Sequence, residues 1–537
     1  MISEDITSFI PHDIQVTPWV QRLIALFQAQ TRCIQEQAEE IAALKKTVQE
    51  QKDEINRLKN MPKRPKFRKG GGDPKSRSGK PGCDKEKHKL DPSDDMAPKK
   101  VRQEITIQAL NIPEGSRFKG YQEYAVQELE VIPKDIIYKL AVWQAPDGTV
   151  LRAILPQEVQ GSHFGHELRA LTHNLYALGM TEPGLFELLR SSGIEISEGQ
   201  IHNILMNEAS AYQQASEAIL TAGIEEALYI RADDTGAKHQ YKNNYCTHIG
   251  GQHFAYFKTT ASKSRENFLK ILLQGKEGYI INEAFIWHLF QSGVEDDLLN
   301  LFEEYSGKRY VAKKGLNRLL NDLGIINKKL RSQCIEAGLI GFISETILRQ
   351  GQVLLSDRAG QFAIFDHAAC WVHMERPLRK LKVSTIEAEA ELEQVRSMIW
   401  DLYDKVKEAA HSQIGKQEVY KLYDQLVAMH SISPGINAVI ASFATYREEM
   451  LKALDHPSLP LHNNDSERDI RGVAKRRNIS GSTKSDEGKA FRDGLITLKQ
   501  TCARLGISFM GYLKRWFKRE PIDLADIVRN RYRTATA

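Results

Sequence analysis

The sequence predicts a multidomain α/β protein, and three observations carry that expectation. Its 537 residues exceed what one hydrophobic core ordinarily organises. Three short β-like runs, ALYIRADD, NYCTHIGG and HFAYFKTT, follow one another between residues 227 and 260. A fourth apolar run, GQVLLSDRAGQFAIF, lies between two long stretches of helical periodicity, near 264–350 and 383–455.

Composition excludes several classes. The chain is 41% hydrophobic and 27% charged, which is ordinary globular usage. No apolar run approaches the length of a membrane span. The N-terminal MISEDITSFIPHD lacks the charged-then-apolar layout of a signal peptide. A soluble cytoplasmic protein without a membrane partner is therefore expected. The six cysteines, Cys33, Cys83, Cys246, Cys334, Cys370 and Cys502, form no CxxC pair. That argues against a disulfide framework and against a structural zinc ribbon. Cys83 and His88 make at most half of a zinc site. A net charge of +5 is weak support for a nucleic-acid partner, so the local charge distribution carries more weight.

Taken in order, the first segment is 1–60. Val20, Phe27, Ile34, Ile41, Val48 and Ile55 recur every seven residues, with Leu23, Leu44 and Leu58 three places after members of that series. The pattern reads as a coiled coil, and with it a homo-oligomer of at least two chains. Gln30, Gln37 and Gln51 interrupt the seam, and a lone amphipathic helix also fits. Residues 61–100 open with MPKRPKFRKGGGDPKSRSGKPGCDKEKHK, a linker composition rich in Pro, Gly and Lys. Its Lys63, Arg64, Lys66, Arg68 and Lys69 suit a phosphate backbone, although a solubilising role fits the composition equally. Residues 101–160 alternate in β fashion, with Pro-Asp-Gly inside YKLAVWQAPDGTVLRAIL marking a hairpin. Residues 161–222 read as helices joined by short turns, with Ser197 as an N-cap. They permit a DNA-binding helix-turn-helix-like module or a plain bundle. A core over 223–480 and a basic helical region over 481–537 follow.

The chemistry rests on acids. Asp233 follows LYIRA and Asp357 follows VLLS. Strands that stop at an acid gather carboxylates at one sheet edge, a donor set that suits Mg²⁺ or Mn²⁺. A polar turn explains either acid alone. Alternation puts Tyr229, Arg231 and Asp233 on one strand face, leaving Asp234 and Thr235 to shape a turn. A third acid, Glu467, lies in LPLHNNDSERDIRGVAKRRN, where Asn463, Asn464, Asp465 or Ser466 suits a helix N-cap. One helical period aligns Asn463, Glu467 and Arg471, and Arg468, Lys475, Arg476 and Arg477 extend a positive surface. Here too a plain dipole-favoured acid at a helix start is an alternative.

The ordered series RADDTGAKH, VLLSDRAG with ACWVHMERPLRKL, LHNNDSERDIRGVAKRRN, and GSTKSDEGKAFRDGLITLKQTCARLGISFMGYLKRW resembles the insertion-sequence-66 family of bacterial transposases from about residue 160 onward. The resemblance implies an RNase H-like core, a mixed sheet flanked by helices; helical insertions are expected near 264–350 and 383–455, the first because that stretch is longer than the family spacing between the first two acids. It aligns Asp233, Asp357 and Glu467 with an Asp-Asp-Glu triad holding two Mg²⁺ or Mn²⁺ ions. His373 and Arg376 match a segment that orients or contacts phosphate, as do Asn463 and Asn464 at the third acid. The implied activity is cleavage of element 3′ ends and their joining to target DNA. The implied partners are double-stranded DNA and accessory proteins from the same element. This chain lacks the family's cysteine-pair zinc motif, has Asp234 where Glu is common, and sets Asp357 between Ser356 and Arg358, with Asp366 as the nearest alternative acid. A DNA-binding regulator without catalysis, or a nuclease that cuts branched DNA, would share these features.

Overall fold

The computed structural model describes residues 104–107, 115–119, 121, 126, 129 and 131–536, Gln413 excepted. The heptad segment and the basic linker with Lys63, Arg64, Lys66, Arg68 and Lys69 lie outside the described residues.

In the 101–160 segment, strand pairing among the described residues is confined to one short hairpin, β1 (Val142–Gln144) and β2 (Val150–Arg152). Its turn holds Asp147, whose Oδ1 accepts the Thr149 N–H at 2.9 Å, and Gly148 at φ +86°. Four helices follow: α1 (His166–Leu178), α2 (Glu182–Ser191), α3 (Glu198–Met206) and α4 (Ala209–Glu226). Gly179, left-handed at φ +117°, ends α1, where a residue with a Cβ would be strained. Ser197 and Gln200 form a reciprocal capping box at the start of α3.

The central sheet begins as an antiparallel meander of β3 (Tyr229–His239), β4 (Lys242–Gly250) and β5 (Ala255–Thr260). The next segment contributes α5 (Arg265–Leu273), β6 (Tyr279–Ile280), α6 (Glu283–Gln291), α7 (Asp296–Glu303), β7 (Arg309–Tyr310), α8 (Lys313–Asp322) and α9 (Lys328–Thr346). The chain then returns to the sheet. Strand β8 (Val353–Ser356) runs parallel to β3, and β9 (His367–Ala369) runs parallel to β8, giving the order β5-β4-β3-β8-β9.

Helix α10 (Trp371–Lys380) leads into the second helical segment. This comprises α11 (Ile386–Ser412), α12 (Lys416–Val427), α13 (Pro434–Thr445) and α14 (Arg447–Leu451). The chain ends with α15 (Asn464–Ser480), α16 (Asp486–Leu505), α17 (Phe509–Phe517) and α18 (Leu524–Thr536).

Two faces of the sheet are buried by different parts of the chain. Ile230, Ala232, Ile249 and Leu354 join a large core with Leu185, Tyr212, Leu220, Leu498, Leu513 and Val528. Val353, Leu355 and Trp371 pack instead with Val395, Ile399, Tyr423 and Phe443 of the second helical segment. A smaller group sets Ala237, Cys246 and Phe257 against Ile470 and Val473 of α15. Buried on both faces, β8 reads as a continuous apolar run, as an interior parallel strand must.

Two expectations need correcting. The regions 161–222 and 481–537 are not separate modules, because their helices share the large core with the sheet. The basic surface of the tail hid a buried stripe. That stripe also covers a free edge: the N–H groups of Ala255, Phe257 and Thr259 on β5 donate to Thr501 Oγ1 (3.3 Å), Thr497 Oγ1 (3.0 Å) and Asp493 Oδ2 (2.7 Å). Every second strand residue meets every fourth helix residue, since two residues of strand and four of helix both rise about 6 Å. The edge is thereby closed to other strands.

The second correction concerns β3, which does not turn at Asp233 and Asp234. It runs on to His239, with Asp233 opposite His248 and Asp234 opposite Thr247. What ends there is the neighbour: β8 pairs only with Tyr229, Ile230 and Arg231. Beyond that point, among the described residues, no strand pairs with that side of β3 until the Thr483 bridge at His239, and the acids lie in this opening.

Candidate metal and DNA site

Asp233 is the centre of the site. Burial pushes its carboxyl up to about 7, opposed by the Asp234 N–H bonded to its Oδ1 at 2.8 Å and reinforced by the negative charges of Asp357, Asp234 and Glu467. Those charges come from two separate strands and one helix. Asp357 follows β8 directly, and its Oδ1 accepts the Ala359 N–H at 2.9 Å. Asp366, the alternative second acid, instead pairs with Lys452 at 2.6 Å.

Asp234 has partners of its own. Its oxygens accept from Thr247 Oγ1 at 2.7 Å and Gln361 Nε2 at 2.6 Å. The two neighbouring acids are thus inequivalent, as strand alternation requires.

Glu467 lies in the first turn of α15 and is held by Arg376 Nη2 at 2.7 Å and His373 Nε2 at 3.4 Å. Both partners come from α10. Burial first, then the Arg376 charge, lower the His373 imidazole pKa against the pull of Asp357 and Glu467. Among the described residues no three His, Cys, Asp or Glu side chains enclose a ready-made ion site. The donor chemistry nevertheless fits a hard divalent cation, since the negative charge that helps raise the Asp233 carboxyl would be relieved by a positive ion. Asp233, Asp357 and Glu467 are the residues that would hold it.

The start of α15 is bolted to β3. Asn463 is fully buried, and its Nδ2 donates to Ala232 O at 3.0 Å while its N–H meets Cys370 Sγ at 3.2 Å. It therefore fixes Glu467 relative to Asp233 and is turned away from solvent. Asn464, at the helix start, is exposed. Arg231 Nη1 reaches Asp465 at 2.5 Å. His248 Nε2 lies 3.1 Å from Asp469, which Arg504 also pairs. Sequence reasoning missed Asp469, although its i,i+4 spacing from Asp465 was a readable sign of a sheet-facing pair.

The basic residues divide. Arg468, Arg471 and Lys475 are exposed on α15. Arg476 is buried, stacked 3.7 Å over Tyr176, and donates to the carbonyls of Tyr176 and Met180 at 3.0 Å each. Arg477 donates to Gly236 O at 2.5 Å. The phosphate reading of Arg476 is corrected accordingly, since its guanidinium is buried and fastens α15 to its surroundings, whereas Arg477 is half-buried with one nitrogen engaged.

Together these define a mixed α/β protein in which the charges of Asp357 and Glu467, far apart in sequence, bear on Asp233 where β8 stops pairing with β3. The family model for "Transposase IS66 family" matches residues 350–490, which include Asp357 and Glu467. The "Uncharacterized protein y4jO" of Sinorhizobium fredii (strain NBRC 101917 / NGR234) is 34% identical over 306 residues, 55% of this chain and 93% of that protein. The chain belongs to the IS66 transposase family. Among the described residues no helix is long and apolar enough to cross a membrane.

Proposed function

We propose that this protein is an Asp-Asp-Glu DNA transposase with an RNase H-like core. It would bind the terminal inverted repeats of a mobile element, cut the 3′ ends and join them to target DNA. The observation that carries the reading is the convergence of Asp357 and Glu467 charge on Asp233 at the opening between β3 and β8. The strand order supports an RNase H-like core: an antiparallel three-strand meander followed by two parallel strands on the side of the first.

Two Mg²⁺ or Mn²⁺ ions, when bound, would neutralise charge on the attacking and leaving oxygens of an in-line displacement. The chain's part is placement. Asp233 presents its carboxylate from the sheet, Asp357 from the turn that follows β8, and Glu467 from the first turn of α15. Arg376 and His373 hold Glu467 in place, and the Arg376 guanidinium would add positive charge beside a scissile phosphate. Water attacks the phosphorus at the element end and the 3′ oxygen leaves, taking a proton. The freed 3′-OH then attacks a target phosphodiester, and the target's own 3′ oxygen leaves. Arg468, Arg471 and Lys475 would position the duplex through its phosphates. Pairing of two chains through the N-terminal heptads would hold two ends together.

The test is Mg²⁺-dependent nicking and strand transfer on duplexes carrying the element ends. Asp357→Ala and Glu467→Ala should each lose cleavage at least about a hundredfold while still binding the ends. Wild-type cutting by Asp357→Ala refutes that assignment. End binding without nicking at any divalent metal would favour a non-catalytic regulator. Nicking without strand transfer would favour a nuclease.

A further inference from the structure

Asp357 sits on a turn that has no regular secondary structure of its own, between β8 and β9. The next residue, Arg358, has φ +65°, a left-handed conformation that costs a residue with a Cβ and persists only when its surroundings impose it. Four side chains impose it here. Ser356 is fully buried, and its Oγ accepts the Arg358 N–H at 3.1 Å while lying 2.8 Å from His367 Nε2. His367 Nδ1 lies 2.8 Å from Glu449 Oε2. Glu449 also ion-pairs with the Arg358 guanidinium, which stacks 3.3 Å over Tyr446. The circuit thus leaves the turn through Ser356, passes through β9, crosses to the second helical segment and returns to the turn at Arg358.

We infer that Glu449, with Tyr446, is the positioning residue through which the second helical segment sets the second catalytic carboxylate, Asp357. The inference rests on the transposase reading of Asp357. Glu449 does not touch reacting atoms. It acts by fixing the backbone on both sides of Asp357: through His367 and Ser356 before it, and through Arg358 after it. Burial pushes the Glu449 carboxyl up, but the His367 bond and the His367 and Arg358 charges outweigh this and hold it below its ordinary value. The ionised form is therefore the one built into the circuit. The arrangement also accounts for Ser356 and Arg358 flanking the acid: a small hydroxyl and a long cation are what this circuit needs at those two places.

The experiment uses the full-length protein and compares Glu449→Ala, Glu449→Gln and Tyr446→Ala. End binding, thermal stability and the Mg²⁺ dependence of cleavage are measured for each. Glu449→Ala is expected to lower the cleavage rate about 10- to 100-fold and raise the Mg²⁺ concentration for half-maximal rate, with end binding unchanged. Glu449→Gln keeps the reach to His367 but not the charge for Arg358, and should recover part of the rate. Arg358→Gly relaxes the φ +65° turn, so adding it to Glu449→Ala should cost less than the two losses multiplied. Wild-type rate and Mg²⁺ dependence in Glu449→Ala overturn the inference. So does a loss of rate matched by an equal loss of end binding and of cooperative melting, which is the mark of a packing role. Full cleavage by Asp357→Asn would instead remove the transposase reading of Asp357, and the inference with it.

Discussion

At the scale of the residue, what matters is which way each charged side chain points. Asp233 and Asp234 are neighbours in sequence and both feel the Asp357 charge, yet Glu467 bears on Asp233 while Asp234 is bonded to Thr247 and Gln361. Strand alternation made that inequivalence legible in the sequence. The continuation of β3 through Asp234 and Thr235 was not legible, because the apolar run stops where β8 stops rather than where β3 does. A pH effect follows from the raised Asp233 carboxyl. Between the ordinary carboxylate range and about pH 7 the folded state holds a proton that the unfolded state has released. Metal-free protein should therefore lose stability as pH rises through that window, and Asp233→Asn should flatten the loss. Melting temperatures of both proteins from pH 4 to 8 in chelator decide it, and parallel curves would sink the idea. The arginines of α15 give a second residue-scale prediction. Arg471→Ala should weaken duplex binding and reduce the salt slope by about one unit, whereas Arg476→Ala should act mainly on stability. Salt titrations of binding beside thermal melts separate the two, and equal salt-slope losses would contradict it. The run KRRN looks uniformly basic, and only the helix faces reveal that Arg476 is turned inward.

Among the elements, α16 shows how a motif can be visible and yet undeciphered. Asp493, Thr497 and Thr501 recur every four residues in DGLITLKQTC, which placed polar groups on one helical face. Nothing in one sequence says that this face meets the unpaired edge of β5 two hundred and forty residues earlier. Polar side chains on a buried face, with 0% exposure for Thr497 and Thr501, are the sign of such a duty. Thr497→Val keeps the shape but leaves the Phe257 N–H without its partner. It should cost about 1–3 kcal/mol, measurable by denaturant unfolding. It should also speed hydrogen exchange at Phe257 over its neighbours in β4. An unchanged midpoint would mean that the N–H finds another acceptor.

Among the described residues, the largest core joins helices that the sequence pattern divides into separate modules. Hydrophobic periodicity found most of the helices, and alternation found the three meander strands. Both are local signals, and the assignment of helices to a common core is not local. His173 on α1 illustrates the joining: its Nε2 donates to Ile204 O of α3 at 2.9 Å, and its Nδ1 accepts from Tyr212 O–H of α4 at 3.1 Å. Its ring also meets Phe491 of α16 and Phe517 of α17. Burial drives this imidazole down to about 4 despite the Ile204 bond. The folded state thus binds fewer protons than the unfolded one between pH 4 and 6.5, so stability falls as pH drops through that window, by about 3 kcal/mol at most. Acid unfolding of wild type against His173→Gln measures that slope, and an equal slope in both would refute it. Because His173 and its aromatic partners span helices from both ends of the described chain, the tail belongs to the core. A chain ending at Ser480 removes Phe491, Leu498 and Phe517 from that core and uncovers the N–H groups of Ala255, Phe257 and Thr259. Several buried large side chains at roughly 1.5–3 kcal/mol each exceed the stability of a typical domain. The shortened chain should therefore show no cooperative melting transition and should bind hydrophobic dye. A separate basic module would behave otherwise: its removal would leave the melt within a few degrees of the full-length protein and subtract only DNA affinity.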